Sequence, residues 1–141
     1  MIPFRQRTGL PVLLLSLALG GCGGADQPPF PELSPVKGVV KRGNDPVAGG
    51  DIKFTPEPDR PEFIVNSVVG ADGTYSLTTV RTTDTRGERK PGAPAGNYKV
   101  TYIPPHNSKT STKSFTPIDL KALVTVQAGA NDIAIDLSAA K

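Results

Sequence analysis

The chain has 141 residues, 37% of them hydrophobic, with 15 Gly, 15 Pro and no Trp. This length fits one domain of ordinary size, and so many turn-forming residues exclude a helical bundle. Arg5 and Arg7 lie in a segment that we expect to be removed, and the rest of the chain has 14 Lys and Arg against 13 Asp and Glu. A near-neutral surface attracts phosphates weakly over distance, so we expect no nucleic-acid partner.

The first 21 residues have the pattern of a signal peptide. Two positive charges precede the apolar run 10–19, which is too short to cross the ~30 Å hydrocarbon layer as a helix. The run ends in Leu19-Gly20-Gly21-Cys22, which resembles the lipobox of bacterial lipoproteins. This resemblance implies cleavage between Gly21 and Cys22. The alternative is an ordinary secretory signal with an incidental cysteine.

Cys22 is the only cysteine, so the chain can form no intramolecular disulfide. The lipobox implies that Cys22 carries a diacylglyceryl group and an N-linked acyl chain, with fatty acids such as palmitate. Because each buried CH₂ contributes about 0.8 kcal/mol, two or three acyl chains hold a protein firmly in a bilayer. Gly23, rather than Asp, follows the cysteine, which implies outer-membrane sorting in bacteria of the enterobacterial type. We therefore expect a membrane-anchored envelope protein that faces the periplasm or the cell surface.

Residues 22–35 are predicted to be the lipidated cysteine and a tether. The segment Gly23–Pro35 contains four prolines and no periodic apolar pattern. At ~3.1 Å per residue, an extended tether of this length would lift the domain up to ~40 Å from the bilayer. The alternative is that the segment packs on the domain as an edge, through Phe30 and Leu33.

Residues 36–141 are predicted to be one β-domain, because apolar and polar residues alternate along them. Alternation with a period of two places one set of side chains in a core and the other in water, as in an antiparallel sheet. Seven strands are predicted, at 36–42, 52–55, 64–69, 75–78, 98–102, 123–127 and 133–137. Ala71-Asp72-Gly73 and the run 128–131 are predicted hairpin turns. This pattern indicates an all-β fold, a single seven-stranded Greek-key β-sandwich.

Several runs resemble the carboxypeptidase-regulatory-like, or transthyretin-like, domains. They are Gly38-Val39-Val40, the runs 46–56 (PVAGGDIKFTP), 70–77 (GADGTYSL) and 92–100 (GAPAGNYKV), and the closing residues 124–137, which look like the last hairpin of that family. A lipobox followed by one such domain resembles a set of lipoproteins common in planctomycete-type bacteria. The resemblance implies a prealbumin-like or Ig-like sandwich. It implies no activity, because in the carboxypeptidases this domain accompanies a separate zinc enzyme.

The sequence shows no recognisable catalytic or metal-binding constellation. His106 is the only histidine, whereas a zinc site needs three or four converging ligands. A serine nucleophile needs a nearby base, and the G-x-S-x-G motif is absent. Asp132 and Asp136, with Asp72 or Asp119, could gather calcium, but surface solubilisation is the better interpretation without a D-x-D-x-D-G loop. We expect no enzyme activity, no metal and no cofactor.

Two long connections are candidate interaction loops. The connection 81–95 carries Arg81, Arg86, Arg89 and Lys90, which could meet an anionic headgroup or a wall polymer; the simpler interpretation is a solvated hairpin extension. The connection 104–117 is rich in Ser, Thr and Lys.

The sequence therefore predicts a non-catalytic, lipid-anchored module of the cell envelope that acts structurally or binds a protein. The alternative is a carbohydrate-binding module with a glycan partner. The three tyrosines fall in the inward phase of their strands, and only Phe30, Phe63 and Phe115 are predicted to be free to stack on a sugar. This pattern argues against the alternative.

Overall fold

A computed structural model of the chain describes residues 27–106 and 116–140. In these residues the fold is all-β, with twelve strands, many of them short, and one turn of 3₁₀-helix at Leu137–Ala139. The strands are β1 (Val36–Arg42), β2 (Asp45–Pro46), β3 (Asp51–Glu57), β4 (Phe63–Val68), β5 (Thr74–Ser76), β6 (Thr78–Arg81), β7 (Arg89–Pro91), β8 (Gly96–Ile103), β9 (Ile118–Asp119), β10 (Val124–Val126), β11 (Asn131–Asp132) and β12 (Ile135–Asp136).

The larger of two sheets is antiparallel and has the strand order β10-β8-β3-β4-β6-β7, with β9 paired to β8. Its centre is the long pairing of β3 with β8, in which Ile52 lies opposite Tyr102 and Phe54 lies opposite Val100. All four side chains are buried. The alternation that the sequence shows in both strands therefore places their apolar residues on the inner face of this sheet.

The smaller sheet is built around β1. Strands β5 and β2 pair antiparallel with β1, whereas β11 and β12 pair with it in parallel. In β1 the side chains of Val36 and Val40 are buried, and Lys37 between them is exposed. This sheet thus covers the core with one face and leaves Lys37, Val39 and Lys41 on the other.

Between the sheets lies one continuous hydrophobic core. Its buried members are Val36, Val40, Ile52, Phe54, Val65, Val69, Tyr75, Leu77, Ala93, Tyr98, Val100, Tyr102, Val126, Ile135 and Leu137. The ring of Phe54 lies 5.8 Å from that of Tyr98 and 6.1 Å from that of Tyr75, in tilted arrangements. Burying side chains of this size stabilises a fold by about 1.5–3 kcal/mol each. The predicted all-β fold of two packed sheets is confirmed.

The two predicted hairpin turns are real turns, but they do not join neighbouring strands of one sheet. The turn at Ala71-Asp72-Gly73 leads from β4 in the larger sheet to β5 in the smaller one. Gln127 to Ala130 likewise lead from β10 in the larger sheet to β11 in the smaller one. The predicted last hairpin is therefore wrong. An Asp-Gly turn reverses the chain in either case, and only the packing of both sheets decides which strand receives it.

One predicted strand also divides. Residues 75–78 alternate as a single strand, yet β5 belongs to the smaller sheet and β6 to the larger. Leu77 lies at the corner between β5 and β6. Its N–H donates to the Val36 carbonyl, and its own carbonyl accepts from the Gly92 N–H. The simple count of seven strands fails because such corners split strands, and because β2, β7, β9 and β11 are too short for a periodic pattern.

Candidate interaction surface

Several predicted functional residues lie outside the part of the chain that the structure describes. These are the lipidation site Cys22, the preceding Gly21, and residues 107–115 of the second long connection, which include Phe115. His106, the last described residue before that gap, has an exposed side chain.

Two of the four candidate cations, Arg81 and Lys90, surround the ring of Phe30. The guanidinium carbon of Arg81 lies 4.3 Å from the ring centroid and the Lys90 ammonium 4.7 Å from it, within the range of cation–π attraction. Arg81 also forms a 2.7 Å ion pair with Glu88, and its side chain is only 12% exposed. The more distant Lys90 ammonium lies 3.8 Å from the same carboxylate. Both cations are thus engaged within the fold.

Arg89 and Arg86 lie apart from that pair. Arg89 sits on the outer face of the larger sheet, where it donates to the Asn66 amide oxygen at 3.0 Å and to the Thr78 hydroxyl at 2.6 Å. Arg86 is exposed at the tip of the turn, which Asp84 organises by accepting the Arg86 backbone N–H. The predicted loop is a β6–β7 hairpin, as the simpler interpretation had it. Neighbouring strand residues point to opposite faces, so the four cations form no single patch.

Residues 27–35, which we call the N-terminal strap, pack on the domain. Phe30 lies 5.9 Å from Phe63, centroid to centroid. The Gln27 amide donates to the carbonyl of Thr83 and accepts from its hydroxyl, at 3.2 and 2.8 Å. Ser34 and Ala93 exchange two backbone hydrogen bonds. These contacts match the alternative in which the segment is an edge held by Phe30. In the structure these nine residues therefore lie against the domain.

Phe63, predicted to be free for stacking on a sugar, is instead 8% exposed and belongs to the core. It lies at the end of the inner face of the larger sheet, where the strap closes the sandwich. Phe30 is partly covered, because Phe63, Arg81 and Lys90 surround it. Neither ring is presented to solvent as a flat platform.

A groove opens where the chain leaves one sheet for the other. We call it the Val68 groove; it has a volume of about 660 Å³ and is open to solvent. It is lined by Lys37, Gly38, Val39, Ser67, Val68, Gly70, Thr74, Tyr75, Ser76 and Asp132. Val68 is 73% exposed, the highest value among the large hydrophobic side chains of the described residues. The groove thus combines an apolar wall with a polar rim that carries one charge of each sign.

The groove exists because the pairing of β4 with β6 stops early. Asn66 lies opposite Thr78, and continuing this register would place Val68 opposite Ser76. Ser76 instead belongs to β5, which has joined the smaller sheet. The Ser67 hydroxyl bridges the two strands: it accepts from the Ser76 N–H at 3.1 Å and donates to the Val68 carbonyl at 2.9 Å. The Ser67 side chain therefore takes the place of a backbone hydrogen bond that a continuous β-ladder would have.

Main-chain groups also face this groove. In the β3–β4 ladder, Val69 N–H donates to Gly50, so the pair Asp51 and Val68 is of the non-hydrogen-bonded type. The N–H and carbonyl of Val68 must then point away from β3, toward Ser76. Just after β5 the Leu77 N–H donates to the Val36 carbonyl. Hydrogen-bonded and non-hydrogen-bonded pairs alternate in an antiparallel ladder, so the carbonyl of the neighbouring Ser76 points away from β1.

The turn at the groove's end is held by Asp72. Its carboxylate accepts from the hydroxyl and the N–H of Thr74, at 2.7 and 3.1 Å. These bonds, with the hydroxyl bond the stronger, lower the pKa of Asp72. Gly70 closes the same turn by donating its N–H to the Thr74 carbonyl. The outer edge of β5 is therefore capped near Thr74, and the accessible part of the groove lies around Val68 and Ser76.

The tyrosine hydroxyls all serve the fold. Tyr75, Tyr98 and Tyr102 donate to the carbonyls of Ile133, Pro94 and Gly49, respectively. Burial raises the pKa of Tyr98 to about 12, and burial, followed by the nearby charge of Asp132, raises the pKa of Tyr75 further. All three therefore stay protonated at neutral pH, with their protons committed to backbone oxygens.

Among residues 27–106 and 116–140, no group of three or more His, Cys, Asp or Glu side chains could hold a metal ion. No helix within the described residues is long and apolar enough to cross a membrane. Comparison of the chain with family models, with curated proteins and with solved structures finds no match.

Val68 and Ser67 are the site residues that the sequence analysis missed. A signal for one of them was present, since Val68 and Val69 are adjacent and apolar at the end of an alternating strand. Neighbours in a strand point to opposite faces, so one of the two had to be exposed. The position of Ser67 in the gap had no such signal, because the gap arises from residues nine positions away in the sequence.

Proposed function

We propose that the protein is a non-catalytic, lipid-anchored module of the cell envelope that binds an extended polypeptide segment of a partner protein in the Val68 groove. The single observation that carries this proposal is the interrupted strand pairing. It exposes Val68 beside main-chain groups of Val68 and Ser76. A strand edge of this kind, with an apolar side chain beside it, is a place where another chain can pair.

An extended polypeptide fits this chemistry. Its backbone offers N–H and carbonyl groups at regular spacing, and these can pair with the Val68 N–H and the Ser76 carbonyl. An apolar side chain of the segment would cover Val68 and Val39, and polar side chains would face Lys37 and Asp132 at the rim. Main-chain pairing supplies affinity in this kind of recognition, and the side chains supply specificity.

The anchor belongs to the same proposal. The charged start, the apolar run and the small residues before Cys22 support the proposed anchor. In this proposal Cys22 carries the acyl groups of a lipobox cysteine. We also propose that the domain belongs to the carboxypeptidase-regulatory-like family and that the protein lies in the outer membrane. The all-β fold of two sheets agrees with the quoted sequence runs.

The groove is tested by site-specific photocrosslinking in intact envelopes. A photoreactive residue is placed at Val68, and a matched one at Leu123, another exposed apolar side chain at 49% exposure that lies outside the groove. We expect crosslinks to one reproducible protein from position 68 alone. The crosslinked segment is then synthesised as a peptide and titrated against the purified domain.

In that titration Val68→Asp is expected to weaken peptide binding on the order of tenfold or more, the loss of one central apolar contact. Leu123→Asp should leave the affinity within about twofold. Equal crosslinking from both positions, or equal affinity of both variants, would contradict the groove as the binding site.

The anchor has its own test. Cys22→Ala is expected to abolish incorporation of labelled fatty acid and to leave an uncleaved or soluble product. Cys22→Ser, which keeps the size of the side chain, should behave like the alanine variant. Equal incorporation of labelled fatty acid by wild type and both variants would exclude lipidation at Cys22.

A further inference from the structure

We infer that the strap leaves only a short linker between the bilayer and the domain, residues 22–26, which we call the leash. Because the leash is short, the tip of the β6–β7 hairpin faces the phospholipid headgroups and the Val68 groove faces away from the membrane. This inference rests on the proposed lipidation of Cys22. The kind of partner is the headgroup surface of the membrane that holds the acyl chains.

The first step is the length of the leash. Gln27 is fixed to Thr83 by two hydrogen bonds and Phe30 is fixed over Phe63. Five residue steps separate Cys22 from Gln27. At most ~3.3–3.6 Å per residue, the chain between them spans no more than about 18 Å. This is less than half the reach of the tether that the sequence predicted.

The second step is where the leash is attached. Thr83 lies in the turn between β6 and β7, just beyond the position where Arg81 of β6 pairs with Phe63 of β4. Phe63 is the first residue of β4, and Val68 is the last. Five residues of a strand span about 17 Å. The anchored tip and the groove therefore lie at opposite ends of the larger sheet.

The third step is the chemistry of the tip. The hairpin 81–91 has four cations and two acids. The acids are engaged: Asp84 accepts backbone N–H groups of the turn, and Glu88 pairs with Arg81. Arg86 is exposed at the tip. The exposed Arg86 guanidinium is the one of these four cations that is presented at the tip, and an anionic leaflet attracts it, so this contact adds to the orientation that the leash imposes.

The test uses energy transfer from a single introduced tryptophan, because the chain contains none. Full-length lipoprotein with Thr85→Trp at the tip, or with Asn44→Trp in the exposed turn after β1, is reconstituted into phosphatidylethanolamine and phosphatidylglycerol vesicles that contain dansyl-labelled lipid. Asn44 adjoins residues that line a surface together with Pro104, at the end of β8 remote from the tip. We expect energy transfer in the Thr85→Trp protein to exceed that in the Asn44→Trp protein at least twofold.

A second variant lengthens the leash. Phe30→Ser combined with Gln27→Ala is expected to lower the energy transfer from the tryptophan at the tip, whereas Phe30→Leu should keep it. Equal transfer from the two tryptophan positions, in vesicles that carry the protein, would overturn the inference and leave the anchor standing. Failure of the protein to float with the vesicles would overturn the anchor, and the inference with it. The comparison of the two tryptophan positions holds even if the double variant is unstable.

Discussion

At the scale of single residues, the roles of Gly38 and Asp136 show how far local patterns reach. The G-x-V resemblance and the alternating pattern both place Gly38 in a strand, and it lies within β1. A Cβ atom there would be 1.9 Å from the carbonyl oxygen of Ile133, and the Tyr75 ring lies 3.0 Å away. Gly38 is needed because the chain at Ile133, between β11 and β12, approaches its backbone closely. That requirement belongs to the parallel pairing of β1 with the chain around Ile133.

Asp136 makes a prediction about acid stability. The hydroxyl and then the N–H of Ser138, with the N–H of Gly43, lower its pKa from 3.8 to about 2. A group with a depressed folded pKa stabilises the fold above its unfolded pKa and loses that contribution as the pH falls through the folded pKa. We therefore expect stability to fall between about pH 4 and pH 2, and to fall less steeply in Asp136→Asn. Thermal midpoints measured across this range check the slope.

Ser138→Ala serves as the companion variant for that measurement. It removes the hydroxyl bond, which is the largest cause of the shift, so the acid slope should again become shallower while the carboxylate remains. Slopes that match wild type in both variants would show that Asp136 does not contribute to acid unfolding.

At the scale of elements, the alternating strands β1, β3, β4 and β8 were predicted within one to two residues. Each of these strands is at least six residues long and buries alternate side chains, so the period is visible in the sequence. The strands predicted at 123–127 and 133–137 contain β10 and β12, but the short strand β11, the parallel pairing of β11 and β12 with β1, and the β5–β6 corner were not predicted. Their partners lie far away in the chain, and a two-residue strand carries no period.

Ser67 carries the prediction at this scale. Ser67→Ala removes the hydroxyl that links Ser76 N–H to the Val68 carbonyl, at a cost of about 1–2 kcal/mol for two partly exposed hydrogen bonds. Hydrogen exchange of the Ser76 amide should become faster and the denaturation midpoint should fall. Ser67→Thr, which keeps a hydroxyl, is expected to retain most of both. Unchanged exchange at Ser76 in the alanine variant would show that the bridge is not formed in solution.

At the scale of the whole molecule, the strap sets the boundary of the folded unit. The sequence placed that boundary at Val36, where the alternating pattern begins. The structure includes residues 27–35, because Ser34 pairs with Ala93 and Phe30 covers Phe63. The domain thus extends toward the proposed anchor at Cys22, which shortens the leash and makes the proposed orientation at the membrane possible.

Truncation tests this boundary. A chain that begins at Val36 should be less stable than one that begins at Gln27, by about 1–3 kcal/mol, because the apolar contact of Phe30 and the Ser34 bonds outweigh the entropy of ordering the strap. Denaturant unfolding of the two chains measures the difference. The chain from Gln27 should match the whole mature chain, and equal stability of all three would exclude a structural role for the strap.

The sequence by itself determined the all-β class, the inward faces of the long strands and the burial of Tyr75, Tyr98 and Tyr102, because period-two alternation is a local property that burial enforces. It also supplied the signal and lipid-anchor predictions at Cys22, which depend on a short contiguous motif. The tertiary structure decided which sheet each short strand joins, the packing of the strap, the dispersal of the four cations and the gap at Val68. Each of these depends on contacts between residues distant in the chain, and no local pattern specifies which distant segment a residue will contact.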